Sequence, residues 1–310
     1  MMVSMGMAVM VAMVIVVMRV VMVVVVVPGA HGPVSLSCHL ADALTKIVAR
    51  ATAMALQGLV PFVPLQQVDV NCRMPAALSI TIPAHNEERF IGKCIESVFR
   101  SAHKAQQAVE VVVALNRCTD GTQALAESLG ARCVVEDTKC ISAVRNAAIR
   151  ASSAPAIVTI DADSWMSDDT IAAVMTHVND PRYVGGGSMI YPERMSLGIF
   201  FSALTIIPYV FKHRLSYGMF WFSREAFEQL GGFDENMITV EDVDFALRLR
   251  ALGRQRGQQY GTIWRHGITT SCRKFDMFGD WYLFKNPALV RGIFEGDRAA
   301  ANHFFYDVDR

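Results

Sequence analysis

The sequence has no surplus of charge of either sign. Its 29 basic and 29 acidic residues cancel, and charged residues make up only 19% of the chain. Nothing in that balance would draw the protein to nucleic acid by bulk electrostatics, so no nucleic-acid partner is expected. Paired cysteines are also lacking. The seven that occur, at 38, 72, 94, 118, 133, 140 and 272, are odd in number and form no Cys-x-x-Cys pair. They read as reduced core cysteines of a cytosol-facing domain rather than as a zinc or disulfide framework. No internal repeat is visible. What the chain does have is apolar mass: 52% hydrophobic residues over 310 positions suffice for one large α/β domain or two small ones.

Much of that mass opens the chain. Met1 to Val27 is almost wholly valine and methionine, interrupted mainly by Ser4, Gly6 and Arg19. The run is long enough to span a bilayer, yet Arg19 inside it would cost roughly 2.5–3.5 kcal/mol at a helix centre. It has no charged segment ahead of it and exceeds the apolar core of a secretory signal. Three readings stay open: a start codon assigned too far upstream, with Met54 or Met74 the later start; a single-pass anchor; or a cleaved signal. The expected location is cytoplasmic, with membrane association through residues 3–27 if these are genuine. Pro28-Gly-Ala-His-Gly-Pro33 breaks any helix. Ser37 to Leu59 is amphipathic enough for a helix, and 28–76 as a whole reads as a linker.

From residue 77 the pattern becomes regular. Ala77 to Ile82, Val109 to Leu115, Ala131 to Glu136 and Ala156 to Asp161 are short apolar runs, each followed by a polar cluster and, for the first three, a helical stretch. Strands alternating with helices at this spacing argue for a parallel, doubly wound sheet, with the polar clusters on one edge. Ligands of such sheets sit outside the carboxyl ends of the strands. Asp-x-Asp occurs three times, at 161/163, 242/244 and 307/309, and only the first follows a buried-strand signal. Two carboxylates two apart on an extended backbone can point the same way and share one divalent cation. The alternative is a capped, solvated turn.

Pro83-Ala-His-Asn-Glu-Glu88, the Thr119-Asp-Gly-Thr122 turn, Arg145-Asn146, Asp161-Ala-Asp163 and Gly231-Gly-Phe-Asp-Glu235 with Glu241-Asp242 stand in the order found in family 2 glycosyltransferases. The stretch from about 77 to 275 resembles that family. The resemblance implies a GT-A fold of α/β class, a Rossmann-like, mostly parallel sheet flanked by helices with a smaller mixed acceptor-binding half. The nucleotide half would cover 77–183, the acceptor half 184–275, and 276–310 would be a tail. The implied activity is transfer of a sugar from a nucleotide-diphosphate donor to a saccharide or lipid-linked acceptor, with Mg2+ or Mn2+ as cofactor.

Position by position, the resemblance implies that Pro83, Ala84, His85 and Glu87 line the pocket for base and ribose and that Arg145 contacts the nucleotide. Asp161 would face ribose and metal, and Asp163 would hold the cation against the diphosphate, whose departure needs its charge neutralised. Asp242, with Glu241 in support, would take the proton of the acceptor hydroxyl, giving single displacement and inversion; helix capping alone is the plainer reading. The family commonly has an aspartate where this chain has Leu115, and Leu115 cannot read a uracil edge. Asn116 or Asp120 are the candidate substitutes, although Asp120 also suits a turn and helix cap.

Further along, Val184 to Ser188 is a glycine-rich strand end read as close approach to the sugar or a turn. Residues 199–211 are too short to span a bilayer and read as a core helix or an interfacial segment beside a lipid acceptor. Trp221 reads as core more than as a sugar platform. His266, after a strand over Tyr260 to Trp264, would complete the metal shell or be structural. Arg273 or Lys274, in the basic turn at 270–274, would pair with the leaving diphosphate or form a solvated turn. The Gln-x-x-Arg-Trp motif of processive synthases is missing, so polymerisation is not expected. A related nucleotidyltransferase would need a glycine-rich loop bearing Arg and Lys after the first strand, which is missing too. A nucleotide-sugar-binding protein without turnover would have no need of Asp242.

Overall fold

The structure, a computed structural model, describes residues 76–295 other than 214, 215, 217, 238 and 239, together with residue 297. The leader over 1–27, the linker up to 75 with Met54 and Met74, and the end of the tail lie outside the described residues.

Isoleucine, valine and leucine dominate the first runs, and both faces of the strands they form are covered. β1 (Leu78–Ala84) is buried along its whole length. It pairs in parallel with β2 (Val109–Leu115) and with β4 (Ala156–Thr159), and β3 (Arg132–Val135) extends the ladder beyond β2. Alternation sorts the side chains. Ile80, Ile82, Val111, Val113 and Val158 share one face with α1 (Glu88–Ala105), α2 (Thr122–Ser128) and α4 (Thr170–Val178). Val112 and Ala114 meet Val144 and Ala148 of α3 (Ile141–Ala151) on the other. Helix α1 buries Ile91, Cys94, Ile95 and Val98 at helical spacing. Each such side chain contributes roughly 1.5–3 kcal/mol.

The sheet continues without a break into the second half, where it becomes mixed. Its order is β3-β2-β1-β4-β7-β6-β8-β5. β7 (Phe220–Ser223) runs antiparallel to β4 and to β6 (Tyr183–Pro192). β8 (Gln259–Thr270) is parallel to β6, and the three-residue β5 (Ser164–Met166) is antiparallel to β8. α6 (Arg224–Leu230) and α7 (Glu241–Gln255) build a second core from Phe222, Phe227, Phe233 and Phe245. The Phe233 and Phe245 rings stack at 4.2 Å.

Several expectations change here. Residues 184–188 are the interior of β6 and form no turn. A Cβ on Gly186 would meet the Trp221 ring at 2.7 Å, so the glycines admit a buried tryptophan. Trp221 is core. β8 does not end at Trp264. It continues to Thr270 across a bulge in which 264–267 face the single residue Met189, and His266 sits there with φ +61. The helix expected over 199–211 is α5 (Leu197–His213). Among the described residues no helix is long and apolar enough to cross a membrane. The basic turn already starts α8 (Arg273–Phe278), which crosses position 275. α9 (Tyr282–Lys285) and α10 (Pro287–Glu295) follow, and Leu283 and Val290 form a small cluster with Ile206 of α5.

Candidate active site at the carboxyl edge of the sheet

β1, β2 and β4 are parallel, so the residues after them gather on one edge. His85 Nδ1 lies 2.6 Å from the Asn116 carbonyl oxygen, which joins the loops after β1 and β2. The Asn116 amide donates to the carbonyls of Glu136 (2.5 Å) and Thr138 (2.8 Å), which fixes the loop after β3. Asp120 accepts from Glu88 N at 3.1 Å and from Thr122 N and Oγ1 at 3.1 and 2.6 Å. It is thus engaged as the cap of α1 and the turn before α2, and Asn86, with φ +53, accepts from Thr119 N instead of capping α1. Burial pushes the Asp120 carboxyl up, but these hydrogen bonds outweigh it and bring it below the usual range. Leu115 is buried. Pro83 and Ala84 end β1 beside Ala114 and Leu115.

Asp161 and Asp163 do not lie on one extended strand. β4 ends at Thr159, and Ser164 N donates to the Asp161 carbonyl (3.0 Å), closing a turn that sends the two carboxylates to different partners. Asp161, half exposed, pairs with Arg145 (Nη2–Oδ1 2.9 Å). Asp163, 18% exposed, pairs with Arg273 (Nη2–Oδ2 3.0 Å) and accepts from Ser271 Oγ at 3.2 Å. Arg273 also grips the buried Glu87 through Nη1–Oε2 at 2.8 Å and Nη2–Oε1 at 3.0 Å. Glu87, Asp163 and Arg273 therefore converge from three segments of the chain, whereas His266 turns to Asp169 (Nδ1–Oδ2 3.9 Å).

Arg145 connects this edge to the start of α7. Its Nη1 donates to Thr159 Oγ1 (3.1 Å), and its Nε lies 3.9 Å from Glu241 Oε1 at the start of α7. Burial opposes the charge on Arg145, but Asp161, Glu241 and Asp242 outweigh it and raise its pKa. Burial, then the neighbouring Asp242 charge, pushes the Glu241 carboxyl up to about 7, with Arg145 pulling the other way. Asp242 is also raised, mainly by burial, with Arg145 and a hydrogen bond from Val243 N (2.7 Å) in opposition. An aspartate of raised pKa is a stronger proton acceptor than a solvated one.

Next to Arg145, Asn146 fixes the 231–235 loop. Its side chain accepts from Phe233 N (2.9 Å) and donates to Phe233 O (2.9 Å) and to Glu235 Oε1 (2.8 Å). Thr159, Ser271 and Asn146 carry no role in the sequence reading. Only Asn146, inside a recognised motif, had a signal that pointed to it.

Residues 79–231 match the family model described as Glycosyl transferase family 2. No curated protein matches the sequence. Among solved structures, the chain is similar to the mannosyltransferase PcManGT from Pyrobaculum calidifontis in complex with GDP-Man and Mn2+. The identity is 18%, 85% of this chain and 86% of that chain are covered, and the TM-score is 0.50. It is similar to S. aureus TarS 1-349 in complex with UDP-GlcNAc at 14% identity, with 73% of each chain covered and a TM-score of 0.50. At such identities the likeness bears on the fold, an α/β sheet of GT-A type flanked by helices.

Proposed function

Residues 79–231 belong to glycosyl transferase family 2, so the chain is a glycosyltransferase, and on that premise we propose an inverting, metal-dependent transfer from a nucleotide-diphosphate sugar to the hydroxyl of a saccharide or lipid-linked acceptor. The observation that carries this reading is the position of Arg145, within 2.9 Å of Asp161 on the donor edge and 3.9 Å of Glu241 at the head of α7. One side chain thereby brings the two carboxylate sets of a transfer reaction into a common cluster.

Asp161 and Asp163 offer the hard oxygen donors that suit Mg2+ or Mn2+. No set of three His, Cys, Asp or Glu able to hold a metal occurs among the described residues. That fits ions bound by one or two carboxylates together with substrate phosphates. When bound, such an ion supplies neutralisation of the charge on the leaving diphosphate. The chain's own residues do the rest. Pro83, Ala84, His85 and Glu87 border the base and ribose, and Arg145 holds Asp161. Asp242 takes the acceptor proton, and Glu241 keeps a proton of its own near neutral pH beside it. Asn116 and Asp120 are engaged in fixing loops, so no base is assigned. His266 is left out of the site. A cytoplasmic location, with membrane association through residues 3–27 if these are genuine, rests on the sequence; expression from Met74 gives a soluble folded protein if that leader is spurious and an aggregated or inactive one if it is integral.

A panel of nucleotide sugars is screened with Mn2+ for thermal stabilisation, and the best donor is then assayed for nucleoside diphosphate release. Ligand that binds only the native state raises its apparent stability. Asp242→Asn is expected to keep donor binding and lose about 10²–10⁴ in rate. Normal turnover in that variant refutes the base assignment, and binding without release in the wild type supports a nucleotide-sugar-binding protein instead.

A further inference from the structure

Arg273 touches two carboxylates at once. Its fork lies on Glu87 at 2.8 and 3.0 Å, and the same Nη2 is 3.0 Å from Asp163 Oδ2. The guanidinium also lies against the Phe90 ring at 5.4 Å. In the function proposed above, on which this inference rests, Asp163 must serve a divalent cation. A guanidinium and a divalent ion on one carboxylate repel each other, so the arrival of one favours the departure of the other.

We propose that Arg273 is the resident counter-cation of Asp163, displaced when a divalent ion and a nucleoside diphosphate bind together, so that the two ligands bind with positive coupling through this residue. The diphosphate gives the displaced guanidinium a second anion of suitable shape, since Arg recognises phosphate through the same paired donors it uses for carboxylate. The local structure allows the movement. α8 is six residues long and fully buries none of its side chains, with only Phe275 and Phe278 packed in part against the Leu283 and Val290 cluster. It ends at Gly279, with φ +91 and open space around it. Its outer end is tied by Arg194, which pairs at the surface with Asp276 (2.6 Å) and Asp280 (2.8 Å).

The test is Mn2+ binding to the full chain, read by the electron paramagnetic resonance of free Mn2+, without nucleotide and with UDP or GDP. The wild type is expected to bind Mn2+ at least tenfold more tightly when the nucleotide it accepts is present. Arg273→Met is expected to bind Mn2+ alone at least tenfold more tightly than the wild type and to gain less from nucleotide. Arg273→Lys, which keeps the charge and loses the fork, falls between them, and near-ultraviolet circular dichroism checks that each variant is folded. If Arg273→Met does not fold, the lysine variant decides. Unchanged or weaker Mn2+ affinity in the folded variants overturns the inference and leaves the transferase reading standing. A wild type that binds neither Mn2+ nor any nucleotide overturns both.

Discussion

Replacing Glu241 with Gln is expected to remove a pH dependence of stability that the wild type carries between about pH 4.5 and 7. The Glu241 side chain is 11% exposed. Burial and then the Asp242 charge lift its carboxyl from the ordinary 4.5 to about 7, against the pull of Arg145. Across that window the folded protein keeps a proton that the unfolded chain has released. Its contribution is therefore fully present below about pH 4.5 and is lost as the pH rises towards 7. At about 1.4 kcal/mol per pKa unit, the loss is about 3 kcal/mol. Asp242, raised too, adds a loss of the same sign. Carboxyls held low, such as Glu110 and Asp120, work in the opposite direction, so the informative quantity is the difference between wild type and variant. Urea unfolding at pH 5 and pH 8 measures it. The wild type should lose up to about 3 kcal/mol more than Glu241→Gln between those pH values. Equal pH slopes in the two proteins would refute the reasoning.

Arg145→Met should cost about 3–5 kcal/mol at pH 8, because it leaves Asp161, Glu241 and Asp242 without their common cation. The cost should shrink at pH 5, as urea titrations would show. Gly231 and Gly232 both have positive φ, +73 and +81, but only at Gly232 would a Cβ meet a neighbour, Asn146 Oδ1 at 2.7 Å. Gly232→Ala should therefore lower the melting temperature clearly more than Gly231→Ala, whose cost of about 1 kcal/mol is backbone strain alone. Asp120→Ala should destabilise by about 1–2 kcal/mol through the lost cap while leaving the ranking of nucleotide donors unchanged in a thermal-shift panel. Chelation should stop nucleoside diphosphate release, and added Mn2+ should restore it, as a release assay would follow.

How far the sequence was legible depended on whether a signal was local. β2 was readable residue for residue because seven residues, four of them valine and the last five buried, end in an Asn-Arg-Cys-Thr-Asp-Gly turn. The carboxyl edge was readable because parallel strands must put their following loops together. β5 was not, since three residues carry no period. Trp264-Arg265-His266 looked like the end of a strand because a bulge breaks the alternation as a turn does. The two members of the Asp161/Asp163 pair were expected to point together, and a turn closed by Ser164 N parts them. Thr159 and Ser271 lie 14 and 108 residues from the side chains they serve, beyond any spacing argument. The ligand class came from the resemblance, and the edge came from the residues.

Arg145 and Asn146 are consecutive on α3, about 100° apart around its axis. The first holds Asp161 and approaches Glu241, and the second fixes the backbone at Phe233. In the function proposed above, a single peptide unit thus sets the spacing between what grips the donor and what presents the acceptor. Any tilt or one-residue slip of this helix shifts both together, so neither specificity can be re-engineered through α3 without disturbing the other.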